Sequence, residues 1–108
     1  MKILRVTAQK PNSTGSGVYL TELMKEFEKL GHKQAIVAGI SMGEEIALPF
    51  EASVYPVQFM SKDLPFPVCG MSDEMPYTST RYKDMTREMV FQFKSIFLRE
   101  LKRAMDEF

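Results

Sequence analysis

The chain has one cysteine, one histidine and no tryptophan in 108 residues. A lone cysteine, Cys69, excludes an intrachain disulfide and a cysteine zinc site. A lone histidine, His32, excludes a histidine-rich metal site. Excess charge is missing as well: 14 Lys and Arg balance 14 Asp and Glu. Nothing in that balance gathers nucleic acid or an anionic membrane over distance, and the basic residues are spread along the sequence. No apolar run reaches the roughly 18–20 residues that cross a bilayer. Arg5 and Gln9 interrupt the stretch where a signal peptide needs an unbroken apolar region. There is no internal repeat and no low-complexity tract. With a single thiol compatible with a reducing compartment, the expectation is a cytoplasmic protein with no transmembrane segment, no metal and no resident cofactor.

What is present is ordinary for a globular chain: 44% hydrophobic and 26% charged residues, enough for one domain with a real core. The apolar residues Ile3, Leu4, Val6 and Ala8 predict a first strand over Ile3–Ala8, nearly continuous as in a strand covered on both faces. Lys10-Pro11-Asn12 breaks it. Leu20, Leu23, Met24 and Phe27 then step in threes and fours, predicting a helix from Ser16 or Gly17 to Leu30. Glu22 with Lys25 and Glu26 with Lys29 line its wet side, and Gly31 suits the left-handed stop. A second strand is expected over Gln34–Gly39. A third spans Ser53–Phe59, with Pro56 placing it at an edge. Residues 60–85 read as the least regular stretch, yet too apolar for disorder. A long helix closes the chain from Thr86 to Phe108. Its buried face is expected to hold Met89, Phe93, Phe97, Leu101, Ala104 and Phe108, widened by Val90, Ile96 and Met105. That stripe reads as core or interface rather than as a ligand box.

The loop between the first strand and the first helix, Asn12 to Val18, is the strongest candidate for chemistry. Its glycines let backbone approach a ligand, and a helix start aims N–H groups at an anion. It is a poor dinucleotide fingerprint, because Leu20 occupies the third glycine position and no acid ends the second strand. It is not a P-loop, since no Gly-Lys-Ser/Thr follows. A tight strand-to-helix turn that needs glycine for geometry alone is the competing reading. His32 falls in a turn away from the strands' carboxyl ends and reads as structural. Cys69 has no activating partner in sequence and reads as an inert loop thiol. Arg81 and Tyr82, with Lys83, offer contacts to an anionic acceptor; a solvated segment ahead of a helix competes with that reading.

Met1-Lys2-Ile3-Leu4, then Ser13-Thr14-Gly15-Ser16-Gly17-Val18-Tyr19, Leu23 and Leu30-Gly31-His32 resemble the start of GT-B glycosyltransferases. The resemblance is to the large retaining group known as glycosyltransferase group 1, or family 4. Phe66-Pro67-Val68, Gly70-Met71-Ser72-Asp73, Met75-Pro76-Tyr77 and Ser79-Thr80-Arg81-Tyr82 resemble a stretch found in a bacterial subgroup of that family. Together the motifs cover nearly the whole chain. The resemblance implies an α/β fold: a partial Rossmann-like domain of three parallel strands in order 3-2-1 with flanking helices. It implies two doubly wound domains in the full-length enzyme, the second holding a nucleotide-sugar donor through basic residues and a Glu-x7-Glu motif that this sequence does not contain. Residues 1–108 would then be the acceptor-side part, inactive alone. Gly15, Ser16 and Gly17 match the family's glycine loop, near the donor diphosphate and the acceptor, where amide dipoles meet charge on the leaving group. No catalytic base carries over.

Two other functions remain open at this point. The chain fits a small self-contained α/β binding or interaction module, its glycine loop only a turn. A nucleotide-binding oxidoreductase fragment fits less well, for want of the third glycine and the acid. In the 3-2-1 order the first strand is an edge with unpaired backbone. The expectation is therefore a homodimer, through that edge or by exchange of the last helix.

Overall fold

The computed structural model describes residues 1–8, 15–41, 43–44, 46, 48, 50–70 and 79–108. The order is β1 (Lys2–Thr7), α1 (Gly15–Lys29), β2 (Lys33–Ser41), β3 (Ser53–Phe59), β4 (Cys69–Gly70), β5 (Thr80–Arg81), one 3-10 turn (Tyr82–Asp84) and α2 (Arg87–Glu107). The main sheet is parallel, in order β1-β2-β3, with Val6 opposite Val37 and Val37 opposite Tyr55. This is the α/β, partial Rossmann-like arrangement expected from the sequence. β4 and β5 form a separate parallel pair.

β2 is central, and Gln34 through Ile40 are all buried. Its alternating residues feed two cores, because side chains along a strand point to opposite faces. Ala35 and Val37 join Tyr55, Val57, Phe59, Leu64, Phe66 and Val68 on one face, under Met89, Phe93, Ile96, Phe97 and Ala104 of α2. Ile36 and Ala38 meet Met24 and Leu20 of α1 on the other. Gln34 ties the layers together: its amide donates to the Met24 carbonyl at 2.8 Å. Phe59 anchors the larger core, its ring 5.7 Å from Phe66, 6.2 Å from Phe93 and 6.3 Å from Phe97.

α1 ends in a Schellman stop. Gly31 has φ +84°, its N–H reaches the Glu28 carbonyl, and the His32 N–H reaches that of Phe27. The accompanying contact is aromatic, with the Phe27 and His32 rings 5.7 Å apart. The expected pairs Glu22–Lys25 (3.5 Å) and Glu26–Lys29 (3.1 Å) form on the exposed side. α2 starts at Thr86, whose Oγ1 accepts the Met89 N–H at 3.2 Å. Pro56 lies in β3 at the sheet's edge, where its missing N–H costs no ladder bond.

Three expectations need correction. β1 is not covered on both faces: none of its residues is fully buried and Val6 is 53% exposed, because α1 and α2 centre on β2 and β3. Val90 and Met105 do not widen the buried face of α2; Met105 is 67% exposed, since the sheet reaches only one side of the helix. β2 runs two residues past Gly39, to Ser41. Within 60–85, the Thr80 N–H reaches the Val68 carbonyl and Thr80 Oγ1 the Pro67 carbonyl, so a short ladder joins the described ends of that stretch.

Candidate functional site

β1 ends at Thr7 and α1 begins at Gly15, so the helix start stands above the carboxyl ends of the strands. That is where ligands bind in open parallel sheets. Gly15, Ser16 and Gly17 form the first turn of α1 rather than a loop ahead of it. Their amides belong to the first turn, whose N–H dipoles point along the helix axis towards the strand ends. No acidic residue occupies this turn, so no carboxylate there competes with an incoming anion. Gly17 is buried, and its carbonyl accepts Thr21 Oγ1 at 2.9 Å. Tyr19, two residues on, is 70% exposed. Asn12, Ser13 and Thr14 lie outside the described residues, as do Met71 to Tyr77 of the second motif.

The floor is set by Gly39. A Cβ there would stand 2.5 Å from the Ala8 carbonyl oxygen and 3.0 Å from the Phe59 ring. The chain leaving β1 thus crosses directly over β2. At the end of β2, the Ser41 N–H donates to Glu44 Oε1 at 3.3 Å and the Glu44 N–H to the Ser41 carbonyl at 3.0 Å. Ending the strand at Gly39 hid this carboxylate from the sequence reading. The signal that marked it was the glycine at 43, which takes φ +91° and turns the chain.

The other candidates fall elsewhere. Arg81 is exposed and pairs with Asp84 at 2.7 Å. The Tyr82 ring packs edge-on against Phe93 of α2, 6.5 Å between centroids. This segment therefore belongs to the α2 layer, whereas Gly15–Gly17 open the helix on the opposite face. Cys69 is buried in β4, not in a loop, with its thiol 3.8 Å from Met85 Sδ. Burial pushes that thiol up to about 11, so it is neutral and unreactive near neutral pH. His32 lies at the amino ends of the strands and lines a recess of about 510 Å³ with Lys2, Lys33, Glu28, Glu51 and Glu107. That recess mixes charges of both signs and sits at the end opposite the glycine turn. Among the described residues, no cluster of His, Cys, Asp or Glu has the makings of a metal site, and no helix is long and apolar enough to cross a membrane. No protein-family model, curated protein or solved structure matches the chain.

Proposed function

We propose that this chain is the acceptor-side part of a nucleotide-sugar-dependent glycosyltransferase, with residues 1–108 forming part of its N-terminal domain. The supporting observation is the acid-free, glycine-rich first turn of α1 at the carboxyl end of a parallel sheet. A donor diphosphate is the anion that suits such amides. As its bond to the sugar breaks, negative charge grows on the leaving group, and fixed N–H dipoles stabilise it more than the ground state. The described residues of this turn supply no carboxylate or imidazole to act as a base. Transfer therefore needs groups from a second, donor-binding domain that closes the cleft.

We further propose that β1 pairs through the edge that no described strand covers, in this chain with β1 of a second copy. Both the resemblance and the position of β1 at the end of the described sheet support that reading. The test of function has two arms. Titration of the labelled chain with UDP and GDP should shift the amide resonances of Gly15, Ser16 and Gly17 ahead of all others. No shift there at millimolar nucleotide would defeat the proposal. Assays with UDP- and GDP-sugars should give no turnover by the chain alone, and turnover would refute the need for a second domain.

A further inference from the structure

α2 carries a second apolar stripe that the sheet does not use. Phe91, Leu98 and Met105 recur every seventh residue and are 71%, 52% and 67% exposed. Arg87, Lys94 and Lys102 interleave with them, all exposed. At about 100° per residue these six fall within an arc of roughly 80–90° on the helix surface. That arc contains no carboxylate; Glu88 and Asp106 flank it.

The pairing of charges separates the two sides of the helix. Arg99 pairs with Asp63 and Glu100, and Arg103 with Glu100 and Glu107. Among the described residues, no ion pair or hydrogen bond engages the side chains of Arg87, Lys94 or Lys102. The stripe thus combines bulky apolar groups with unneutralised cations along a helix about 31 Å long, at 21 residues and 1.5 Å each. The other face of the helix remains anchored on the larger core.

We propose that this outer face of α2 lies on an anionic lipid surface. The complement must be apolar at its centre and negative at its rim. A headgroup–acyl boundary with acidic lipids has both: the apolar side chains enter it, while the lysine and arginine stems extend along it to reach phosphates. A second copy of the chain is a poor occupant, because it brings the same three cations to the same stripe. The zero net charge of the chain does not oppose the contact, since juxtamembrane attraction falls off within a Debye length.

The test is co-sedimentation of the 108-residue chain with large unilamellar vesicles. One set is phosphatidylcholine alone; the other contains about 30 mol % phosphatidylglycerol. The chain should bind the anionic set, not the neutral one, and release at high salt. The triple variant Arg87→Gln, Lys94→Gln, Lys102→Gln should lower partitioning by roughly a hundredfold, about fivefold per cation. Phe91→Ser with Leu98→Ser should lower it by more than about tenfold. Helical content by circular dichroism should not change in either variant, and the salt dependence of the unmodified chain reads the charge contribution without any variant. Equal binding to both vesicle sets, or salt-insensitive binding, overturns the proposal. So does failure to bind anionic vesicles alongside stoichiometric capture of a synthetic acidic amphipathic peptide, which would give this face to a protein partner.

Discussion

Replacing Gly39 by alanine tests how the candidate site is built. The new Cβ would stand 2.5 Å from the Ala8 carbonyl oxygen and 3.0 Å from a Phe59 ring carbon. The first neighbour is backbone. The second is held by Phe66, Phe93 and Phe97. Reaching ordinary contact requires a movement of about 0.7–0.9 Å between β1's exit and β2, and overpacking of this kind costs roughly 1–3 kcal/mol, towards the upper end where backbone must move. Removing a glycine also restricts the unfolded chain, which offsets about 0.4–1 kcal/mol. The net expectation is a loss of about 2 kcal/mol, or about 10 °C in melting temperature for a domain this size. Gly31→Ala is the control. Its φ is +84° with nothing within 4 Å of the added Cβ, so only backbone strain of about 1 kcal/mol applies. Urea unfolding of both variants, read by circular dichroism, measures the difference. If Gly39→Ala unfolds within about 0.3 kcal/mol of the parent, or if Gly31→Ala is the more damaging, the close crossing of Ala8 over Gly39 does not govern this corner.

Cys69 gives a pH prediction: burial raises its thiol to about 11, so the fold favours the neutral form. That stability is complete below the unfolded-chain value of about 8.5 and erodes as pH climbs from there towards 11. Unfolding curves across this window should fall more steeply for the parent than for Cys69→Ala, and thiol reagents at pH 7 should label the chain only once it is unfolded. Thr86→Ala removes the acceptor for the Met89 N–H and should cost about 1 kcal/mol by denaturant titration; an unchanged midpoint would mean that water replaces the cap. Sedimentation over a wide concentration range should show the chain associating, and Val6→Lys, at an exposed position on β1, should leave it monomeric. A parent chain that stays monomeric at millimolar concentration refutes pairing through that edge.

The elements were legible where apolar periodicity and end signals coincide. α1 shows this best, because Leu20, Met24 and Phe27 mark its inner side and Gly31 stops it as the glycine rule requires. Pro56 correctly marked β3 as an edge, for a proline leaves no N–H to share. The sequence was less informative about which apolar residues find a neighbour. Val6, Val90 and Met105 carry the same side-chain chemistry as residues in the cores, yet of the apolar residues of β1 only Leu4 packs into a core, and only one side of α2 does. Phe91 and Leu98 belonged to no expected face, because a helix pattern scored for one stripe overlooks a second. At the candidate site the glycines stood out in sequence, but the Gly39 crossing did not. It depends on Ala8, Gly39 and Phe59, which only the parallel register brings together.

The two edges of the sheet differ in a way that bears on the proposed role. β3 is protected: Pro56 interrupts its outer row, and Arg99 and Arg103 of α2 line a groove beside Pro56 and Gln58. β1 has no such guard. It contains no proline, its outward residues include Val6, and Lys2 at its start is engaged with the Phe108 carbonyl at 2.8 Å. Arg5, at its middle, is half-buried with its guanidinium 5.0 Å from the centre of the Phe27 ring and its Nε without an acceptor. A strand shaped as a terminal edge carries charges or proline outward. β1 has two charged residues, but Lys2 and Arg5 are drawn to Phe108 and Phe27, while the apolar Val6 is left exposed. Under the proposed reading a further strand pairs there, and the turn that follows β1 then lies near the middle of the sheet, where a topological switch point forms a binding crevice.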